Sequence, residues 1–285
     1  MTDINIEQCT ATFHFEPHYE SCPDRFFLIS GAARHPTHGE VAKLSGYLIK
    51  NRAAWKAAGE FGSIMEAETQ ELYDYSLSIF NNRIIVHPWL LDGGPRSGSG
   101  CWGEELNEGN IVYLQDLSVA KPFTRRGVGS WFLEEFLHSP RVNVAASHVY
   151  TWPFPNNAAR VKPTPQSIAD IASFFQKNHF RRIGRTVFFC YSVNPAHPSR
   201  TLAIADDATA FASDFPNMEQ DIINLESQFP LHYAIDGDRT AGVRDSIMKA
   251  YALDRNIIHQ KGPDGYSPVH LAAKKRNVHA LRTLL

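Results

Sequence analysis

The chain has 285 residues, enough for one large domain or two of ordinary size. Hydrophobic residues at 43% and charged residues at 20% are the proportions of a chain that buries a core, which excludes a disordered tail. A formal net charge of −2 gives no general electrostatic reason to expect nucleic acid or an anionic membrane surface as partner.

In chain order, residues 1–23 read as a polar, irregular segment. Asp3 and Glu7 interrupt Met1 to Thr12, which lacks the apolar centre of a signal peptide. No later stretch approaches the ~20 apolar residues of a membrane span. Cys9, Cys22, Cys101 and Cys190 are scattered and form no CxxC pair, so neither a disulfide scaffold nor a zinc ribbon is expected. A cytoplasmic or nuclear location with reduced thiols is the expectation.

Arg25 to Ser30 reads as a buried strand, Gly31 to Gly39 as a turn, and Val41 to Lys50 as a second strand, together an antiparallel hairpin. Met65, Leu72, Leu77 and Phe80 recur at near-helical spacing between Ala53 and Phe80. Glu66, Glu68, Glu71 and Asp74 then read as a solvated helix face, with lining of a cationic substrate's entry as the second reading. His35 and His38 have no partners spaced to complete a metal site, and no metal is expected. The glycine-rich stretch 92–109 lacks the Gly-Lys-Ser/Thr ending of a phosphate-binding P-loop and reads as a flexible connector. Ile111 to Val119 is a strand, Trp131 to His138 an amphipathic helix, and Val142 to Trp152 a further strand. Ser167 to Asn178 reads as a helix, and Arg185 to Val193 as the last strand before the Pro195–Pro198 break. Strands and helices mixed with antiparallel hairpins predict an α+β domain over 24–195, a linker over 196–219 and a mostly helical segment over 220–285.

The segment from Leu117 through Ser118, Val119, Thr124, Arg125, Arg126, Gly127, Val128, Gly129 and Ser130 carries the most chemistry. It is a strand, a tight glycine loop and the start of a helix. The first turn of a helix offers unpaired N–H groups and partial positive charge. Gly127 and Gly129 leave the approach open, and the two arginines add fixed charge, so the junction suits an anion.

In its wider context, VYLQDLSVAKPFTRRGVGSWFLEEFL resembles the central motif of the GNAT N-acetyltransferase superfamily, a Leu-x-Val strand followed by a Gln/Arg-x-x-Gly-x-Gly/Ala loop and a helix. Thr124 stands where Gln or Arg is usual. IADIASFFQKNHFRRIGRTVFFCYS is similar to a second element of that family, in the expected order. The resemblance covers roughly residues 24–195. It implies a mixed, mostly antiparallel twisted sheet flanked by helices, with acetyl-CoA in a V-shaped gap between the strands at 111–119 and 142–152. It also implies pantetheine pairing near Leu117 and Val119, and pyrophosphate held by the amides of Arg125 to Ser130.

The resemblance leaves the catalytic groups thin. Gln115 occupies a slot where some members carry a base Glu, and Phe175 a slot where many carry an acid Tyr. Asp116, Tyr150 and Tyr191 are the candidate replacements, with Gln115 as an orienting group for acceptor or water. Strand alternation puts Asp116 on the face opposite Gln115. Catalysis by positioning alone stays open.

Near the C-terminus, Asp264 to Ala273 followed by Leu281, Leu284 and Leu285 resembles an ankyrin repeat, with Ser267 for Thr, Val269 for Leu and Arg276 for the inter-helix Gly. Pro230 to Ala234 repeats the Pro-x-His-x-Ala core. Its histidine lies 270 − 232 = 38 residues before the second, against about 33 for the usual unit. Two repeats fall short of the ~3 that bury their faces, so the expectation is an incomplete array from a longer repeat protein, or a second repeat that packs on the first domain or on another chain.

Two functions follow as expectations. One is an acyl-CoA-dependent N-acyltransferase whose repeats recruit a protein partner, with protein lysine, N-terminus, polyamine and small amine all open as acceptor. The alternative is a catalytically degenerate CoA-binding or scaffold protein.

Overall fold

The computed structural model describes residues 4–18, 22, 24–50, 52–81, 83–144, 147–155, 163–210, 229–237, 240, 242–262 and 266–285. The chain divides into two units, Met1–Thr209 and Ala210–Leu285. Part of the expected linker and the Asp264-Gly265 start of the second repeat lie outside the described residues.

Unit 1 is built on a seven-stranded sheet of order β1-β2-β3-β4-β5-β7-β6. The strands are β1 (Thr10–Pro17), β2 (Phe26–His35), β3 (Gly39–Ile49), β4 (Ile111–Val119), β5 (His148–Thr151), β6 (Arg181–Arg182) and β7 (Phe189–Ser192). Every neighbouring pair is antiparallel except β4 and β5, which run parallel. The domain is therefore α+β with a mostly antiparallel sheet.

The whole of β4 falls where apolar patterning put it, and β2 and β3 form the expected hairpin with a shorter turn, since β2 runs on through His35 into the stretch from Gly31 that was expected to turn. β1 differs, lying inside the segment expected to be irregular. It pairs with β2 from Thr10↔Arg34 to Pro17↔Phe27, and Ala11, Phe13 and Phe15 pack on the core. An edge strand wets half its side chains, and although Thr10, Thr12, His14 and Glu16 alternate strictly with Ala11, Phe13 and Phe15, they leave the segment polar on average. β5 is also shorter than the 142–152 run. Val142 is buried, yet it sits in the turn after the preceding helix.

One face of the sheet packs on α4 (Val128–His138) and α5 (Pro165–Lys177). Leu44, Val112, Leu114 and Val149 meet Phe132, Phe136 and Phe175 there. Thr164 and Ser167 form a reciprocal capping box with Pro165 in the first turn, which is why α5 begins ahead of the apolar run. The other face carries α1 (Arg52–Ala58), α2 (Phe61–Glu68) and α3 (Gln70–Ile79). Tyr75 of α3 lies 4.7 Å from the ring of Tyr113 and 5.3 Å from that of Tyr150.

The glycine-rich connector is a packed loop rather than a free one. Trp102 and Leu106 are fully buried, and Trp102 Nε1 donates to the Arg182 carbonyl at 2.9 Å. Residues 196–209 likewise belong to unit 1. His197 stacks on Trp102 at 4.7 Å and meets Glu105 at 3.1 Å, while Arg182 donates to the Ala208 carbonyl. Hydrogen bonds from His197 and the Gly103 amide outweigh the burial penalty and hold the Glu105 carboxyl down at about 2.

Unit 2 contains α7 (Pro230–Gly237), α8 (Val243–Leu253), α9 (Pro268–Lys274) and α10 (Val278–Leu284), the unit-1 helix Pro198–Thr201 being α6. α7 packs on α8 and α9, and α10 on α8 and α9, which stacks two helical hairpins. Their shared core holds Leu231, Ile235, Val243, Ile247, Leu271, Ala272 and Ala280. His232 Nε2 donates to the Tyr266 carbonyl at 2.7 Å, and buried Asn277 donates to the Ile235 carbonyl at 3.0 Å. Between α9 and α10, Arg276 takes a left-handed conformation at φ 55°.

Candidate functional site

Pairing of β4 with β5 runs from Ile111↔His148 to Leu114↔Thr151 and stops. Beyond it the strands part, and a cavity of about 870 Å³ opens between them. That size falls in the range of ~300–1,000 Å³ of small-molecule and cofactor sites. Gln115 to Val119 of β4 form one wall, beyond the end of the β4–β5 ladder among the described residues. Thr151, Trp152, Phe154 and Pro155 form the second wall, and Ile171, Phe174 and Phe175 of α5 close the apolar side.

The glycine loop sits at the mouth. Thr124, Arg125, Gly127, Gly129 and Ser130 all line the cavity. Gly127 caps the N-terminus of α4 at φ 82°, a conformation that suits glycine, and no side chain caps that helix end. A Cβ at Gly129 would sit 3.3 Å from Val119 and 3.4 Å from Phe174. A Cβ at Gly127 would sit 3.2 Å from Ile6. The two glycines keep open a cradle that side chains would fill, facing helix N–H groups that favour an anion. Arg125 pairs with Asp170 of α5 at 2.7 Å across the same mouth, and both side chains are well exposed.

Four sequence candidates fall outside the lining among the described residues. Val128 is fully buried in the core, and Arg126 is off the wall. Tyr150 is fully buried beneath α3, and burial pushes its phenol far above the ordinary range. Tyr191 points to the opposite core, with the Arg200 guanidinium 4.3 Å from its ring. The geometry therefore brings neither tyrosine to the cavity. Gln115 and Asp116 do line it, as does Phe175.

The face expected for Asp116 needs correction. Ser45 pairs with Asp116 and Gly46 with Leu114, so Gln115 is an extra residue on β4. Such a bulge resets the alternation. Asp116 therefore falls on the face of Tyr113, not on that of Leu114. Gly46 makes the bulge possible, since a Cβ there would lie 2.2 Å from the Tyr113 carbonyl oxygen.

The acidic residues of α2 and α3 are not simply solvated. Glu68 bonds His18 at 3.0 Å, and both side chains are largely buried. Glu71 accepts a 2.6 Å hydrogen bond from the Tyr113 hydroxyl. Burial raises its carboxyl from 4.5 to about 7. Asp116 and Asp74 push the same way, and the Tyr113 bond opposes them. Sequence reasoning singled out Glu71 only as one of four acidic residues on a solvated face or a substrate entry; the signal for its burial is that it precedes Tyr75 by one helical turn and shares that buried face.

Among the described residues no cluster of His, Cys, Asp or Glu is placed to hold a metal ion, and no helix is long and apolar enough to cross a membrane. No family model matches the chain, and no curated protein matches it.

Proposed function

We propose that unit 1 is an acyl-CoA-dependent N-acyltransferase of the GNAT kind, moving an acetyl group from acetyl-CoA to an amine. The observation that carries this reading is the strand–glycine loop–helix junction opening into the gap where β4 and β5 diverge. The residues fit the ligand. The amides of Gly127 to Ser130, at the uncapped helix end, would take the pyrophosphate. The edge of β4 beyond its ladder with β5, near Leu117 and Val119, offers backbone groups to the pantetheine arm, and Phe174 and Ile171 offer apolar cover. The thioester supplies the activated acyl group. The protein's own residues then hold it beside Gln115 and Asp116, where positioning lowers the barrier.

Unit 2 is proposed to be a pair of ankyrin-type repeats that recruits a protein partner. Its support is the stacking of two helical hairpins with His232 and His270 in matching motifs. The absence of a titratable group at Gln115 and Phe175 favours the alternative, a CoA-binding scaffold without turnover.

Calorimetry with acetyl-CoA tests the cofactor, and assay of released CoA thiol over a panel of amines separates the two readings. Gly129→Glu should abolish binding, because its side chain would fill the cradle and carry like charge. Undiminished affinity in the folded variant would refute the assignment.

A further inference from the structure

An amine acceptor reaches the site as an ammonium ion and must lose a proton before its nitrogen can attack. Gln115 and Phe175, which line the cavity, cannot take that proton. Asp116 and Asp170 are the carboxyl groups that line the cavity, and Glu71 does not line it but lies on the face of the sheet that carries Tyr113 and Asp116. Its Oε1 is fixed by the Tyr113 hydroxyl at 2.6 Å, and Tyr113 stands two residues ahead of the bulge on β4. The bulge turns Asp116 onto that face while Asp116 lines the cavity, and its charge is close enough to act on Glu71.

An independent feature points to a polar guest at the same end. Trp152 lines the cavity, and its Nε1–H is buried with no acceptor among the described residues. A buried donor left unpaired is costly, and an oxygen on a bound molecule satisfies it.

Resting on the acyltransferase reading, we propose that Glu71 is the proton acceptor of the site and that the acceptor substrate is a cationic primary amine held at Asp116, on the face of the sheet that Glu71 shares. The ammonium gives one proton to the Glu71 carboxylate. The freed nitrogen pair attacks the thioester carbonyl carbon, a C–N bond forms and the C–S bond breaks with its electron pair on sulfur. The second N–H proton goes to that sulfur, and Glu71 returns its own proton to solvent. The products are an amide, a thiol and one released proton.

The titratable groups around Glu71 are Tyr113 and Asp116 of β4, Tyr47 of β3, Glu68 at the end of α2 beside His18, and Asp74 on its own helix. This surrounding is acidic and half-buried. It attracts a cation and keeps a carboxyl exchanging its proton near pH 7.

The experiment has three arms. In protein labelled with ¹³C at glutamate carboxyls, one resonance should titrate near pH 7 and vanish in Glu71→Gln. In Tyr113→Phe it should titrate higher, because the phenol bond that favours the carboxylate is gone. Thermal shift at pH 8 with phenethylamine, cadaverine and spermidine should show at least one stabilising amine. Glu71→Gln should lose that shift and keep the one given by acetyl-CoA. With that amine, thiol release should fall by about 10²-fold or more in Glu71→Gln and lose its inflection near neutrality. The inference is overturned if no glutamate titrates near pH 7, if none of the three amines shifts the wild type, or if Glu71→Gln keeps the amine shift and the rate. Failure of the wild type to bind acetyl-CoA overturns the transferase reading and the inference with it. Acetyl-CoA binding with a rate insensitive to Glu71→Gln overturns the inference alone.

Discussion

Glu71 links the site to stability in a way that urea titration can read. Burial holds its carboxyl at about 7 in the folded chain, against 4.5 for the free group. The folded state therefore binds the proton more tightly than the unfolded state between those values. A raised carboxyl contributes stability that is present at low pH and is lost as pH rises through about 7. At 1.36 kcal/mol per unit, the ionised side chain costs about 3 kcal/mol above pH 7 relative to its protonated form. Glu71→Gln mimics the protonated form at every pH, and its amide oxygen still accepts from Tyr113. The variant should exceed the wild type by about 1 kcal/mol or less at pH 5 and by about 3 kcal/mol at pH 8. All five tryptophans, Trp55, Trp89, Trp102, Trp131 and Trp152, belong to unit 1, so their fluorescence follows that unit alone. A difference between variant and wild type that stays flat from pH 5 to pH 8, or a variant less stable at pH 8, would refute the burial of an ionisable carboxyl at this position.

Two further substitutions test the backbone. Gly46→Ala should destabilise unit 1 by about 3 kcal/mol or prevent its folding, since the added carbon meets the Tyr113 carbonyl at 2.2 Å; a neutral tryptophan-fluorescence melt would mean that the β4 bulge is not as described. Arg276→Gly should relieve a left-handed residue at φ 55° and stabilise unit 2 by about 1 kcal/mol. That corresponds to roughly fivefold slower amide exchange in α10 by mass spectrometry, and unchanged or faster exchange would count against the strain.

The sequence made β4 legible because nine apolar-rich residues bounded by a glycine turn and a proline have few other readings. The glycine loop was legible through its spacing, although only the left-handed backbone of Gly127 is a local need; the clearance at Gly129 is set by Val119 and by Phe174, 45 residues away. What stayed hidden was set by partners far along the chain. The edge strand β1 forms because β2 offers it a ladder; its local signal, the alternation of Ala11, Phe13 and Phe15 with polar neighbours, was outweighed by the polar composition of the segment. Trp102 turns the glycine-rich connector into a packed loop through contacts with Arg182 and His197, about 80 and 95 residues away.

The candidate site shows the same division at the level of single side chains. Period-two reasoning put Asp116 on the wrong face because it counts residues, whereas the sheet counts pairings, and one unpaired residue at Gln115 shifts every later face. That shift has a chemical consequence. With strict alternation Asp116 would face α4 with Leu114, and Glu71 would stand alone beside Tyr113. With the bulge, Asp116 comes onto the face that Glu71 occupies, and its charge adds to the burial that raises the Glu71 carboxyl. The lack of an ionisable side chain at Gln115 is therefore compatible with acid–base chemistry in this fold, because the same bulge that carries Gln115 brings Asp116 onto the face of Glu71.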